Sequence, residues 1–184
     1  MDKVWKGKQA GFTLIEVMTV LLVVAVLGIF ASRAAATAIH ASRSISGFSS
    51  LMSALAAART TAANTEIDVV LCPSSDGETC GAGYHWENGW IAFQATQPGS
   101  NRLPGEAIVY RQAALPTKVR LLTTTGRTRI RFQGNGGNAG SNATFTFCDG
   151  RGARAAAAYA MANNGNLRLT VADPDYVTQA CAGL

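Results

Sequence analysis

Glu16 is the one ionisable residue in a twenty-residue apolar run, 12–31, that reads FTLIEVMTVLLVVAVLGIFA. If that run lies in lipid, an unpaired charge there costs about 2.5–3.5 kcal/mol, so the chemistry of this carboxylate is that of a charge that needs a partner. Four cysteines, Cys72, Cys80, Cys148 and Cys181, lie well beyond the run and could form two disulfides or offer thiolates to a metal. Arg127, Arg129 and Arg131 alternate with Thr128, Ile130 and Phe132, so a strand would set three guanidinium groups on one face, each a planar fork for phosphate or carboxylate. Lys118 and Arg120 repeat the spacing one segment earlier. If the two segments pair, they form a cationic ribbon, whose plainer reading is a solvated sheet face or an edge protected by charge.

The elements that must position these groups follow from the hydropathy pattern. Twenty helical residues cover the roughly 30 Å of a bilayer's hydrocarbon core. Lys3, Lys6 and Lys8 precede the run and Arg33 follows it. The cationic leader places the N-terminus on the cytoplasmic side and the remainder outside. A secretory signal has a shorter apolar core and a small-residue cleavage site, whereas this run continues into more helix. A plain anchor fits the length but leaves Glu16 without a reason. No Pro occurs before Pro73, and the Ala-rich stretch carrying Ile39, Leu51 and Leu55 predicts helix to about Asn64, roughly 80 Å from Phe12. Gly28 and Gly47 are either weak points or sites of close packing.

After Asn64 the chain turns to short β-type runs separated by Gly, Asn, Ser and Pro, with strands expected at 67–72, 90–95, 107–111, 118–122, 128–133, 143–148, 153–161 and 166–171. The fold class is α+β, a long N-terminal helix packed on an antiparallel two-sheet β domain. With 184 residues, 48% of them hydrophobic and 15% charged, the chain holds one globular domain plus an appendage and is not disordered. The net charge of +5 is too small to identify a nucleic-acid binder. The cysteines, in an oxidising compartment, favour two disulfides. Three pairings are open; closure of the short PSSDGET loop favours Cys72–Cys80, which leaves Cys148–Cys181 to fasten the C-terminal tail. Their spacing lacks CxxC, and His40 and His85 read as helix-surface and loop residues, so no metal or cofactor is expected. No GxSxG, HExxH or Walker sequence is present. GNGGNAG at 134–140 reads as a flexible loop, and Asp149, Asp173 and Asp175 as turn residues, so the chain is not read as an enzyme.

Gly11-Phe12-Thr13-Leu14-Ile15-Glu16-Val17, behind a short basic leader and ahead of a long apolar run, resembles the processing site of type IV prepilins and of the pseudopilins of type II secretion. The resemblance implies a leader at 1–11, cleavage after Gly11 by a prepilin peptidase, N-methylation of the new terminal Phe12, and a Glu16 that meets the terminal amine of a neighbouring subunit in the bilayer. It divides the chain into a transmembrane half of the helix at 12–31, a periplasmic half at 32–64 and a β domain at 65–184. Within that superfamily the sequence is similar to the GspH/FimT group, through residues 54–80, then NGWIAF, IRFQGNG, FCDGRGARA and GNLRL. This likeness is the reason for expecting strand at 153–161, where ARAAAAYAMA would read as helix on propensity.

The implied role is a minor pilin or pseudopilin in the bacterial inner membrane, with other subunits and the prepilin peptidase as partners. Some FimT-like members bind DNA through a C-terminal GRxR motif. The matching position here is Gly165-Asn166-Leu167-Arg168, where Asn166 replaces the first Arg. The second expectation is accordingly a phosphate-binding patch of Arg127, Arg129, Arg131, Arg151, Arg154 and Arg168 that would bind DNA in a salt-sensitive way.

Overall fold

The computed structural model describes residues 11–97, 99, 101–138 and 140–184. The chain divides between Ala38 and Ile39 into two compact units. Helix α1, Leu14–Thr65, runs through the division. In the first unit every described residue is exposed, as a lipid-facing helix requires. Its hydroxyl side chains bond to the helix itself. Thr19 donates to the Glu16 carbonyl and Ser32 to that of Ile29, both at 2.9 Å. Helix continues through Gly28, and a Cβ there would meet open space.

In the second unit, α1 buries Gly47, Leu51, Ala54, Leu55, Ala58 and Ala62, the three-and-four spacing of one helical face. Small residues at 54, 58 and 62 let the helix axis lie close to the strands. Gly47 belongs to this face too: a Cβ there would touch Leu115 at 3.4 Å, so close packing, not weakness, explains it.

The β elements form two four-stranded antiparallel sheets. One has the order β3-β2-β1-β5, built from β1 Val69–Pro73, β2 Trp90–Gln94, β3 Ile108–Gln112 and β5 Ile130–Phe132. The other has the order β4-β6-β7-β8, built from β4 Val119–Thr123, β6 Thr144–Asp149, β7 Ala157–Met161 and β8 Leu167–Thr170. Between α1 and the sheets lies the main core, in which Trp86, Trp90, Phe132, Phe145 and Phe147 are buried with Leu51 and Leu121. Trp86 donates its indole N–H to Thr123 Oγ1 at 3.1 Å, and Phe48 lies 4.3 Å, centroid to centroid, from Tyr159. A second cluster, with Val70, Ile91 and Phe93, fills the opposite face of β1 and β2.

Four local expectations are corrected. Residues 128–133 give only a three-residue β5, since Arg129 turns aside to the Gly99 carbonyl at 2.8 Å and to Asn101. Lys118 lies outside β4, with a φ of 66° that a strand cannot contain. The segment 153–161 opens with a 3-10 turn at Ala153–Ala155, set by Gly152 at φ 81°, before β7 begins. The Asp173-Pro174-Asp175 turn is the start of a helix, α2 Pro174–Cys181, with Asp173 as N-cap and Pro174 in the first turn.

Gly89 shows how closely the strand ends of the first sheet approach one another. Its φ is 111°, and a Cβ would fall 2.6 Å from the Gln112 carbonyl oxygen and 2.8 Å from that of Ser74. Neither neighbour is a side chain that can move. Gly89→Ala is therefore expected to lower unfolding free energy by about 3 kcal/mol, whereas Gly83→Ala, with open space around it, should cost about 1 kcal/mol from φ alone. Urea titration of the two variants checks the difference.

Candidate functional site

The sequence-predicted groups fall into two places. The first is the start of α1. Among the described residues nothing lies within 4 Å of the position a Cβ on Gly11 would take. Phe12 is exposed beside it. Thr13 is the N-cap of α1: its hydroxyl accepts from the Glu16 N–H at 3.3 Å, and Glu16 Oε2 accepts from the Thr13 N–H at 3.5 Å. That reciprocal pair is a capping box. The sequence carried its signal in Thr13-x-x-Glu16, which a reading of Glu16 as a charge alone misses. The carboxylate thus spends one oxygen on its own helix terminus, where the positive end of the helix dipole also favours it, and keeps the other for a further donor.

The second place is the β unit, where the expected ribbon does not form. β5 pairs with β1 and β4 with β6, so Lys118 and Arg120 lie in a different sheet from Arg131. Each strand is drawn to the neighbour that completes its buried face. Several of the guanidinium groups are engaged inside the protein. Arg131 binds Asp68, with its Nε 2.6 Å from Oδ2. Arg120 reaches Glu87 Oε1 at 3.1 Å, and His85 Nδ1 lies 3.0 Å from the same oxygen. Arg151 chelates Asp149, donating from Nε and Nη2 and also from its backbone N–H. Arg127, Arg154 and Arg168 are exposed and form no ion pair among the described residues. His40 is more than a surface residue: its ring lies against Gly150, 2.5 Å from where a Cβ would be.

Two buried carboxylates hold loops. Burial alone would raise the Asp149 carboxyl, but the Arg151 side chain and backbone N–H, with Ser44, outweigh it and keep the carboxyl below its ordinary value. The reciprocal contact raises Arg151. Glu106 follows the same balance: burial is overcome by the N–H groups of Leu103 and Thr96, the Thr96 hydroxyl and the charge of Arg102. Disulfides join Cys72 to Cys80 and Cys148 to Cys181. The first closes the loop after β1, where Asp76 accepts from Ser74, Glu78 and Thr79. The second ties α2 to β6, over a cluster of Leu122, Cys148 and Ala180.

A helix whose first part is long and apolar enough to cross a membrane, and whose second part packs with two four-stranded antiparallel sheets, defines a pilin-like architecture. Residues 48–174 match the family described as type II transport protein GspH, and residues 6–32 match the prokaryotic N-terminal methylation motif. The chain belongs to the GspH family. Two crystal structures of the type IV minor pilin FimU of Pseudomonas aeruginosa (strain PAO1) are similar in fold, each at 15% identity over 64% of this chain, with TM-scores of 0.49 and 0.47. They are covered over 80% and 84% of their own lengths. No curated protein matches the chain.

Because the folded Asp149 carboxyl titrates below its ordinary value of 3.8, the stability it contributes is complete above that pH and is lost as pH falls through the folded value. Asp149→Asn should lower stability at neutral pH by about 3 kcal/mol and make the acid limb of a stability-against-pH curve shallower. Denaturant titrations between neutral pH and pH 2 read both effects.

Proposed function

We propose that this chain is a minor subunit of a type II secretion pseudopilus or type IV pilus, cut after Gly11, methylated on Phe12 and inserted in the inner membrane through the first half of α1. The observation that supports the reading most is the combination at the N-terminus: Gly11 with no described atom near its Cβ position, a capped helix start, and one carboxylate in the exposed apolar first part of α1. Cleavage leaves a charged amine on Phe12, four residues ahead of Glu16. The free Glu16 oxygen accepts from the equivalent amine of an adjacent subunit, compensating two charges that are each costly in lipid. That pairing fixes the axial register of one helix against the next. The β unit lies on the periplasmic side and is a structural part of the assembly, not a catalyst. Oxidising conditions there suit the two disulfides.

Gly11→Leu should leave membrane insertion intact and the leader attached, seen as a mature chain eleven residues too long by mass spectrometry. A Cβ at Gly11 meets no described atom within 4 Å, so the substitution introduces no clash with the folded unit. Glu16→Ala should be cleaved normally yet fail to enter the assembled fibre; normal incorporation would contradict the pairing.

A further inference from the structure

Four strands form the edges of the two sheets: β3 and β5 in one, β4 and β8 in the other. Three are guarded against another strand. β3 joins its neighbour through a register shift at Ala92/Phe93. β5 is three residues long, and the Ser141 hydroxyl takes its Arg131 N–H at 3.2 Å. β4 is overlaid by residues 84–86: the Trp86 N–H reaches the Leu121 carbonyl, the Thr123 N–H reaches that of Tyr84, and His85 bridges Leu122. β8 has no cover among the described residues. Of the large apolar side chains in the second unit, Leu169 on this edge and Val171 just past its end are the most exposed, at 72% and 93%. Leu169 shares a strand face with Leu167, which packs on the main core, so the exposed side chain extends a buried apolar surface.

The other face of β8 carries Arg168. It borders a groove of about 450 Å³ lined by Thr124, Asn142, Thr144, Ala160 and Asn163, with no carboxylate in its wall. The edge therefore offers main-chain donors and acceptors, an apolar face and one cation without an acidic partner.

We propose that β8 is a docking edge for an extended segment of a neighbouring pilin-like subunit, with apolar side chains on its Leu169 face and a carboxylate opposite Arg168. The proposal rests on the assembly role given above. A second copy of this chain fits poorly. Two β8 strands paired antiparallel are related by a two-fold along the sheet normal, which reverses α1 on the sheet, while subunits drawn from one membrane share one direction.

The test uses the full chain together with its co-assembling subunits. The native cysteines are all in disulfides, so Leu169→Cys introduces one free thiol at an exposed site. Attached to a short photo-crosslinker, it should capture a different polypeptide whose mature N-terminus is a methylated residue, identified by mass spectrometry. Capture of a second copy only, or of nothing in the assembled state, overturns the proposal. Leu169→Asp and Arg168→Glu should each lower incorporation about tenfold while membrane insertion and protease resistance stay normal. Arg168→Glu should recover when a carboxylate at the captured site is changed to Lys. Wild-type incorporation of both variants overturns the proposal, as does an Arg168→Glu defect confined to binding of duplex DNA. Should Glu16→Ala stop assembly while Leu169→Asp does not, the docking edge fails and the assembly role stands.

Discussion

One helix here must be compatible with two solvents, and the rest of the structure depends on how it meets that constraint. In its first part α1 turns apolar side chains outward on all faces, while in its second part a stripe of Leu and Ala is buried among aromatic residues. The change is a change of side-chain size as much as of polarity. Ala54, Ala58 and Ala62 let the backbone of α1 come near enough for both sheets to close around Trp86, Trp90 and Phe145. Replacing that stripe by bulky residues would force the sheets apart, since a packed interior has no free volume to absorb them.

Around that core the protein holds its irregular segments with covalent bonds and buried ions. The two disulfides join neighbours at quite different separations, 8 and 33 residues. The shorter fixes a single loop, whereas the longer fastens a C-terminal helix that is also held by Tyr176 to Thr125 and by Gln179 to Tyr84. Asp149 and Glu106 do similar work without covalent chemistry, each gathering several donors from a turn that would be unstructured alone. Each of these depressed carboxyls is explained by the donors of its own loop, so the shift marks a structural anchor.

Charge is used sparingly and locally. Arg120, Arg131 and Arg151 are each matched to a specific carboxylate, with the result that a residue count of excess Arg overstates the positive surface available to a partner. Counting charges along a strand assumed that the strand extends over its whole alternating pattern. Arg129 instead leaves the ladder for a carbonyl and an amide, and the pattern is cut to three residues. Alternation in sequence shows which residues would share a face if a strand forms, and does not show where pairing stops.

Much could be read from the chain alone, for reasons of range. The membrane segment, the lone Glu16, the Ala-rich continuation of the helix and the order of most strands depend on contacts within a few residues, and local periodicity records them. The two cysteine pairs were accessible because a seven-residue loop leaves little freedom in one of them. Capping of α1 by Thr13 was equally local, and its signal was present but easily hidden by the interest of Glu16 as a charge. Tertiary structure decided the remainder: which sheet each strand enters, which Arg meets which carboxylate, and the edge of β8 left uncovered among the described residues. These depend on pairs far apart in sequence, and the energy that selects among them comes from closing a shared apolar interior, a quantity that no single segment contains.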